Sequence, residues 1–179
     1  LPVVKALVGA GADICTISNA NTNVLHTLAF NPEDDDQELF RYAMSKLPRS
    51  ELERKIRPRN AFFRSMRAAV CVRRFFVGEK NMTASQKVID RVWGMTPLHC
   101  AFSCGQMRVA TYLYREGADM LATTDRGFTA LQCAALNGFE DTADYALRCE
   151  LKFGDIENCH IARRFTGSSM KRGGAASGE

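Results

Sequence analysis

At 179 residues, the chain has room for one ordinary domain or a short repeat array, and with 46% apolar residues it can bury a core. Charged residues make up 25% of it, and no apolar run approaches the roughly 18 residues of a membrane span, which argues against an embedded chain and for a soluble one. The formal charge of +4 is modest, but the stretch from Lys46 to Arg91 carries most of the basic excess, so the local field matters more than the total.

The chain starts at Leu1 rather than Met and no signal-like succession of charged, apolar and small residues follows, so it is expected to lie inside a longer protein. Seven cysteines at irregular spacings suit reduced thiols and an intracellular, cytoplasmic location.

The first expected element is a helix from Leu1 with Val3, Val4 and Leu7 at helical apolar positions, closed by Gly11-Ala-Asp13. A second helix begins within Asn21-Thr-Asn-Val-Leu-His-Thr-Leu28. Asn31-Pro-Glu-Asp-Asp-Asp36 then leads into a helical stretch with Leu39, Phe40, Ala43, Met44 and Leu47. Negative charge is favoured at that helix start by the macrodipole. The carboxylates lack the alternate spacing of a calcium loop, so no metal is expected there. Pro48 to Ile56 continues as a short polar helix.

From Pro58 to Val88 the chain mixes arginines with aromatics, as in Arg59-Asn-Ala-Phe-Phe-Arg and Arg73-Arg-Phe-Phe76. It reads as a basic insertion, a loop or short helix. Phe63, Val70 and Phe76 fall at positions 1, 8 and 14, a spacing similar to calmodulin-target helices. The composition would also suit an anionic membrane surface or nucleic acid.

Beyond it the chain repeats itself. Gly94-Met-Thr-Pro-Leu-His-Cys-Ala101 returns as Gly127-Phe-Thr-Ala-Leu-Gln-Cys-Ala134, a displacement of 33 positions. Gly105 matches Gly138. Gly117-Ala-Asp119 matches Gly11-Ala-Asp13, each ten residues before a unit start, at Gly127 and Asn21. Thr96 can cap a helix whose first position suits Pro97. Leu98, Ala101 and Phe102 give that helix an apolar face, as Leu131 and Ala134 do in the next unit. Gly105 ends it, because glycine accepts the left-handed conformation of a tight turn. Val109, Tyr112 and Leu113 stripe the second helix, which Gly117 closes.

These motifs resemble the ankyrin-repeat family, with its Gly-x-Thr-Pro-Leu-His-x-Ala start, a glycine after the first helix and Gly-Ala-Asp after the second. The resemblance is strongest from Gly94 to Leu147. Asn21 to Leu28 departs from it with Asn for Gly and Val for Pro. It implies an all-α fold, a solenoid of stacked antiparallel helix pairs interrupted by the basic insertion. The expected organisation is repeats over 1–57, insertion over 58–92, two repeats over 93–150 and an extension with a disordered tail over 151–179. Thr166 to Glu179 is rich in Gly, Ser and Ala, and Arg163-Arg-Phe-Thr166 resembles a basophilic kinase site.

The resemblance also implies a scaffold that binds another protein on its concave side. By position this points to Thr123, Thr124, Asp125, Arg126 and Phe128 at one tip and Met95 at another. Ser103, Cys104, Leu136 and Asn137 would lie along the inner face. Neither a small-molecule substrate nor a cofactor is expected, and nucleic acid and membrane are not the expected partners. The alternative is a regulatory segment of a larger enzyme or channel, or a calmodulin or anionic-surface contact through the insertion.

Residues that could suggest catalysis have repeat explanations. Gly9-Ala-Gly-Ala-Asp13 lacks the third glycine and preceding strand of a dinucleotide loop. His26 and His99 share one repeat position, which favours a turn hydrogen bond. Cys100 and Cys104 sit one helical turn apart, but Cys100 has its counterpart in Cys133, and a structural zinc site needs four ligands. Cys159-His160 is a lone pair, and no nucleophile elbow or Walker loop is present. The chain is read as no enzyme.

Overall fold

The computed structural model describes residues 2–30 and 37–152. The acidic run at 31–36, Cys159-His160, the kinase-like site and the tail lie outside the described residues. Every regular element among the described residues is helical. The helices are α1 (Pro2–Gly9), α2 (Val24–Phe30), α3 (Gln37–Lys46), α4 (Ala61–Val77), α5 (Ala84–Val92), α6 (Pro97–Ser103), α7 (Met107–Arg115), α8 (Ala130–Leu136) and α9 (Glu140–Lys152). Short 3-10 turns cover Arg49–Glu53 and Glu79–Asn81. None is long and apolar enough to cross a membrane.

The repeat chemistry sets the helix starts. Thr96 accepts from the His99 backbone N–H, with Pro97 opening α6, and Thr129 accepts from Gln132 ahead of α8. These caps satisfy donors the helix itself cannot. The departures at Asn21 to Leu28 cost the first unit little. Asn23 Oδ1 accepts from the His26 N–H at 3.2 Å, filling the role of Thr96. Asn21 takes the left-handed φ of 61° where Gly94 has 82° and Gly127 has 77°; Asn is among the few side-chain residues that tolerate this.

The helices form two rows. In the first, α6 packs between α2 and α8; in the second, α7 lies between α3 and α9. Leu25, Leu98, Phe102, Leu113 and Leu131 are buried along the seam, joined by Leu39, Phe40 and Ala43 of α3 and by Leu47 just after it. The histidines stitch successive units. Each ring turns Nδ1 to its own capping residue, Asn23 or Thr96, and Nε2 onward to the next unit. His26 reaches the Met95 carbonyl at 3.3 Å and His99 the Phe128 carbonyl at 3.1 Å. Met95 and Phe128 are equivalent positions, so the first pair of units stacks as the second pair does.

That stacking passes straight across the insertion. Ile56 N–H donates to the Met95 carbonyl at 2.9 Å and Gly94 N–H to the Ile56 carbonyl at 2.8 Å. The excursion therefore leaves and rejoins the array at one point. It is a helical pair rather than a loop or short helix: α4 runs 17 residues from its Asn60 cap, and α5 starts with a reciprocal cap between Thr83 and Gln86.

Candidate functional site

Two ordinary turn tips flank the insertion. Ser18 N–H donates to the Thr22 carbonyl in one and Thr124 N–H to the Phe128 carbonyl in the other, both at 2.9 Å. The tip between them is where the insertion emerges. Its start is tied to the preceding tip, with Arg57 N–H on the Ala20 carbonyl and Arg59 N–H on the Asn19 carbonyl.

Its helices lean on the following tip. Phe63 meets Trp93 edge to face, and the Arg67 guanidinium lies 5.9 Å from the Trp93 ring centre while pairing with Asp125 at 2.9 Å. Arg126 reaches back to Glu79 at 2.9 Å and to the buried Asp90 at 3.1 Å, and Arg74 joins Asp90 at 3.0 Å. The Arg126 and Arg91 guanidiniums hold the Glu79 carboxyl down to about 2. Gly94 has to be glycine for a second reason: a Cβ there would lie 2.2 Å from the Asp125 nitrogen.

The tip residues expected to face a partner are therefore engaged within the chain. Thr124 is buried, its hydroxyl accepting from Phe128 N–H at 3.1 Å, because it closes the tip hairpin instead of displaying itself. Asp125 and Arg126 hold α4 and α5. The Thr123 side is exposed, but its carbonyl accepts from Lys55 Nζ at 2.6 Å. Arg126 also covers Phe128, its guanidinium 5.1 Å from the ring centre.

The remaining expected residues converge. Met95, Ser103, Cys104, Phe128, Leu136 and Asn137 line one groove of about 380 Å³, whose opposite wall is α5, with Val88 and Val92. The walls differ in origin: the inner ends of α6 and α8 supply one and the insertion supplies the other. Leu136 is 39% and Val88 66% exposed, so the groove presents apolar surface to whatever enters. Val88 was invisible to the repeat pattern, although Thr83-Ala-Ser-Gln86 carries the capping-box spacing that announces α5.

Burial drives His26 and His99 down to about 4, leaving both neutral and committed to the stack. Burial also raises the thiols, Cys133 to about 11 and Cys100 well above its usual value, which keeps them from serving as nucleophiles or thiolate ligands. Among the described residues no three His, Cys, Asp or Glu side chains are grouped to hold a metal ion. The calmodulin-like triplet does not share one environment: Phe63 packs against the repeat core and Val70 is buried, while Phe76 is 80% exposed.

Comparison with known proteins supports the repeat fold. The family description ankyrin repeats, in three copies, matches residues 65–156, just over half of the chain. The RelA-associated inhibitor of Mus musculus is 40% identical over 68 residues, covering 36% of this chain. The chain spans only 8% of that relative's length.

Proposed function

The chain belongs to the ankyrin-repeat family, and from that premise we propose that it is a non-catalytic module which captures a protein partner in the groove between α5 and the inner ends of α6 and α8. Ankyrin repeats serve generally in protein–protein interaction, and the mouse relative's name describes association and inhibition. The observation that carries the reading is the convergence of Met95, Cys104, Phe128 and Leu136 with Val88 around one apolar groove. A groove of this size takes one or two large apolar side chains of a partner segment, and such anchors in desolvated pockets dominate interface energies.

The insertion then shares in recognition, since α5 is a wall of the groove. Arg126 would act on capture by positioning α5 through Glu79 and Asp90. Free thiols at Cys15, Cys71, Cys100, Cys104 and Cys133 suit a reducing intracellular setting for the complex.

The test compares capture by the full chain with capture by its Leu136→Glu and Val88→Glu variants. Both positions are exposed, so folding is spared. A partner retained by the native protein and lost by both variants supports the groove. A partner retained equally by Leu136→Glu moves the binding surface elsewhere.

A further inference from the structure

Helix α4 has two faces with different commitments. Phe63, Val70, Arg67 and Arg74 turn inward, toward Trp93, Asp125 and Asp90. The outward side is built differently. Ala61, Ala68, Val72 and Phe75 run along it at helical intervals of seven, four and three, and Phe62, Ala69 and Phe76 form the adjoining row, with Ser65 the one polar side chain between them. Phe62 is 67%, Phe75 84% and Phe76 80% exposed. Arg73 borders one margin of this apolar strip and Arg64 the other, and neither meets a carboxylate among the described residues.

The acids nearby are spent inward. Glu79 and Asp90 face Arg74, Arg91 and Arg126, so the outer side of the insertion is left cationic, with exposed Arg59 and Lys80 at its ends. Beside the Arg64 margin lies a hollow of about 680 Å³ lined by Arg57, Arg64 and Arg67 with Ala68, Cys71 and Asp125. Asp125 neutralises Arg67 there, which leaves Arg57 and Arg64 without a carboxylate partner among the described residues; Arg64 meets only the Asn60 and Arg59 carbonyls, at 3.4 and 3.5 Å, and an anion can replace these long contacts.

We propose that the outward face of α4 is a docking surface for an anionic phospholipid bilayer, with the helix lying in the headgroup plane, its phenylalanines in the acyl boundary and its arginines among the phosphates. The 17 residues extend about 25 Å, too short and too charged to span, but suited to lie flat. Arginines at the margins can reach back to headgroups while their stems stay apolar. A second copy of the chain fits less well, because face-to-face packing would oppose like charges. A partner that wraps the whole helix is blocked by the committed inner face. Nucleic acid would need cations along the middle of the strip, where this helix carries methyl and phenyl groups.

Co-sedimentation of the full chain with vesicles of phosphatidylcholine alone, and of phosphatidylcholine with phosphatidylserine, tests the proposal. Binding is expected to the anionic vesicles, weakening with salt, and to the neutral ones about tenfold less or weaker still. Arg64→Gln and Arg73→Gln should each lower partition about fivefold at low salt. Phe75→Ser with Phe76→Ser, at exposed positions that leave folding intact, should lower it about tenfold. Absence of binding to anionic vesicles, or binding indifferent to the two phenylalanines, overturns the proposal. So does binding to single-stranded RNA in place of vesicles, or a dimer in sedimentation equilibrium that the double serine variant dissolves without any vesicle binding.

Discussion

The unit from Gly94 to Arg115 and the insertion before it are both helical pairs joined by a short turn, yet different forces hold them. The repeat unit is capped by Thr96, stitched by His99 and packed through Leu98, Phe102 and Leu113, all fully buried. The insertion buries little besides Val70, Met82 and Asp90, and is held by Phe63 on Trp93 and by carboxylates shared among Arg74, Arg91 and Arg126. Apolar stacking against neighbours gives a solenoid its cooperativity. Ion pairs at partly exposed positions contribute much less. The array should thus behave as one unit and the insertion as a separable attachment.

Acid separates the two most strongly. His26 and His99 have folded values of about 4 against an unfolded 6.5. Their neutral forms favour the fold above pH 6.5, and that contribution falls away as pH drops toward 4, by roughly 3 kcal/mol per histidine. Glu79 lies at about 2 in place of 4.5, so its clamp on the tip persists until pH falls below 4.5. Denaturant titrations from pH 7 to 4 should show the array weakening while the clamp's ionisation is unchanged; leucine in place of both histidines should flatten that slope.

Next in size is a cavity in the stack. Phe102→Ala should cost about 3 to 5 kcal/mol and shift the unfolding midpoint of α2, α6 and α8 together in hydrogen exchange. If α2 keeps its protection while α6 loses it, the array is not one cooperative unit. Smallest is Asp90→Ala. Its two arginine partners keep partial access to water, so the loss should be about 1 to 2 kcal/mol. It should appear as faster exchange in α4 and α5 with the array amides unchanged.

The same contrast explains what the chain revealed before its fold was seen. Repeat units are legible because their turns need Gly94, Gly105 and Gly127, and their starts need Thr96 and Thr129 at a fixed spacing. Even Asn21 and Asn23 follow from the same demands. The insertion has no such period. Its aromatics lie on both faces of α4, and its anchors, Arg67 to Asp125 and Arg126 to Glu79, join residues far apart in sequence. Phe63, Val70 and Phe76 therefore looked like one stripe when only two of them face inward. The tip residues were assigned by their place in the repeat, and the groove members among them do converge. Nothing in the repeat could indicate that Asp125 and Arg126 were already occupied by an element it does not contain.

The array runs unbroken past the insertion, joined where Ile56 pairs with Met95 and Gly94. Replacing residues 58–92 by an Asn-Gly turn and measuring amide exchange in α2 and α6 tests it directly. The expected result is protection of both helices close to that of the native chain, with a single cooperative unfolding transition. Free exchange throughout α2 with α6 still protected would mean that the insertion, and not the stacking of Leu25 and His26 on the Gly94 unit, holds the two halves together.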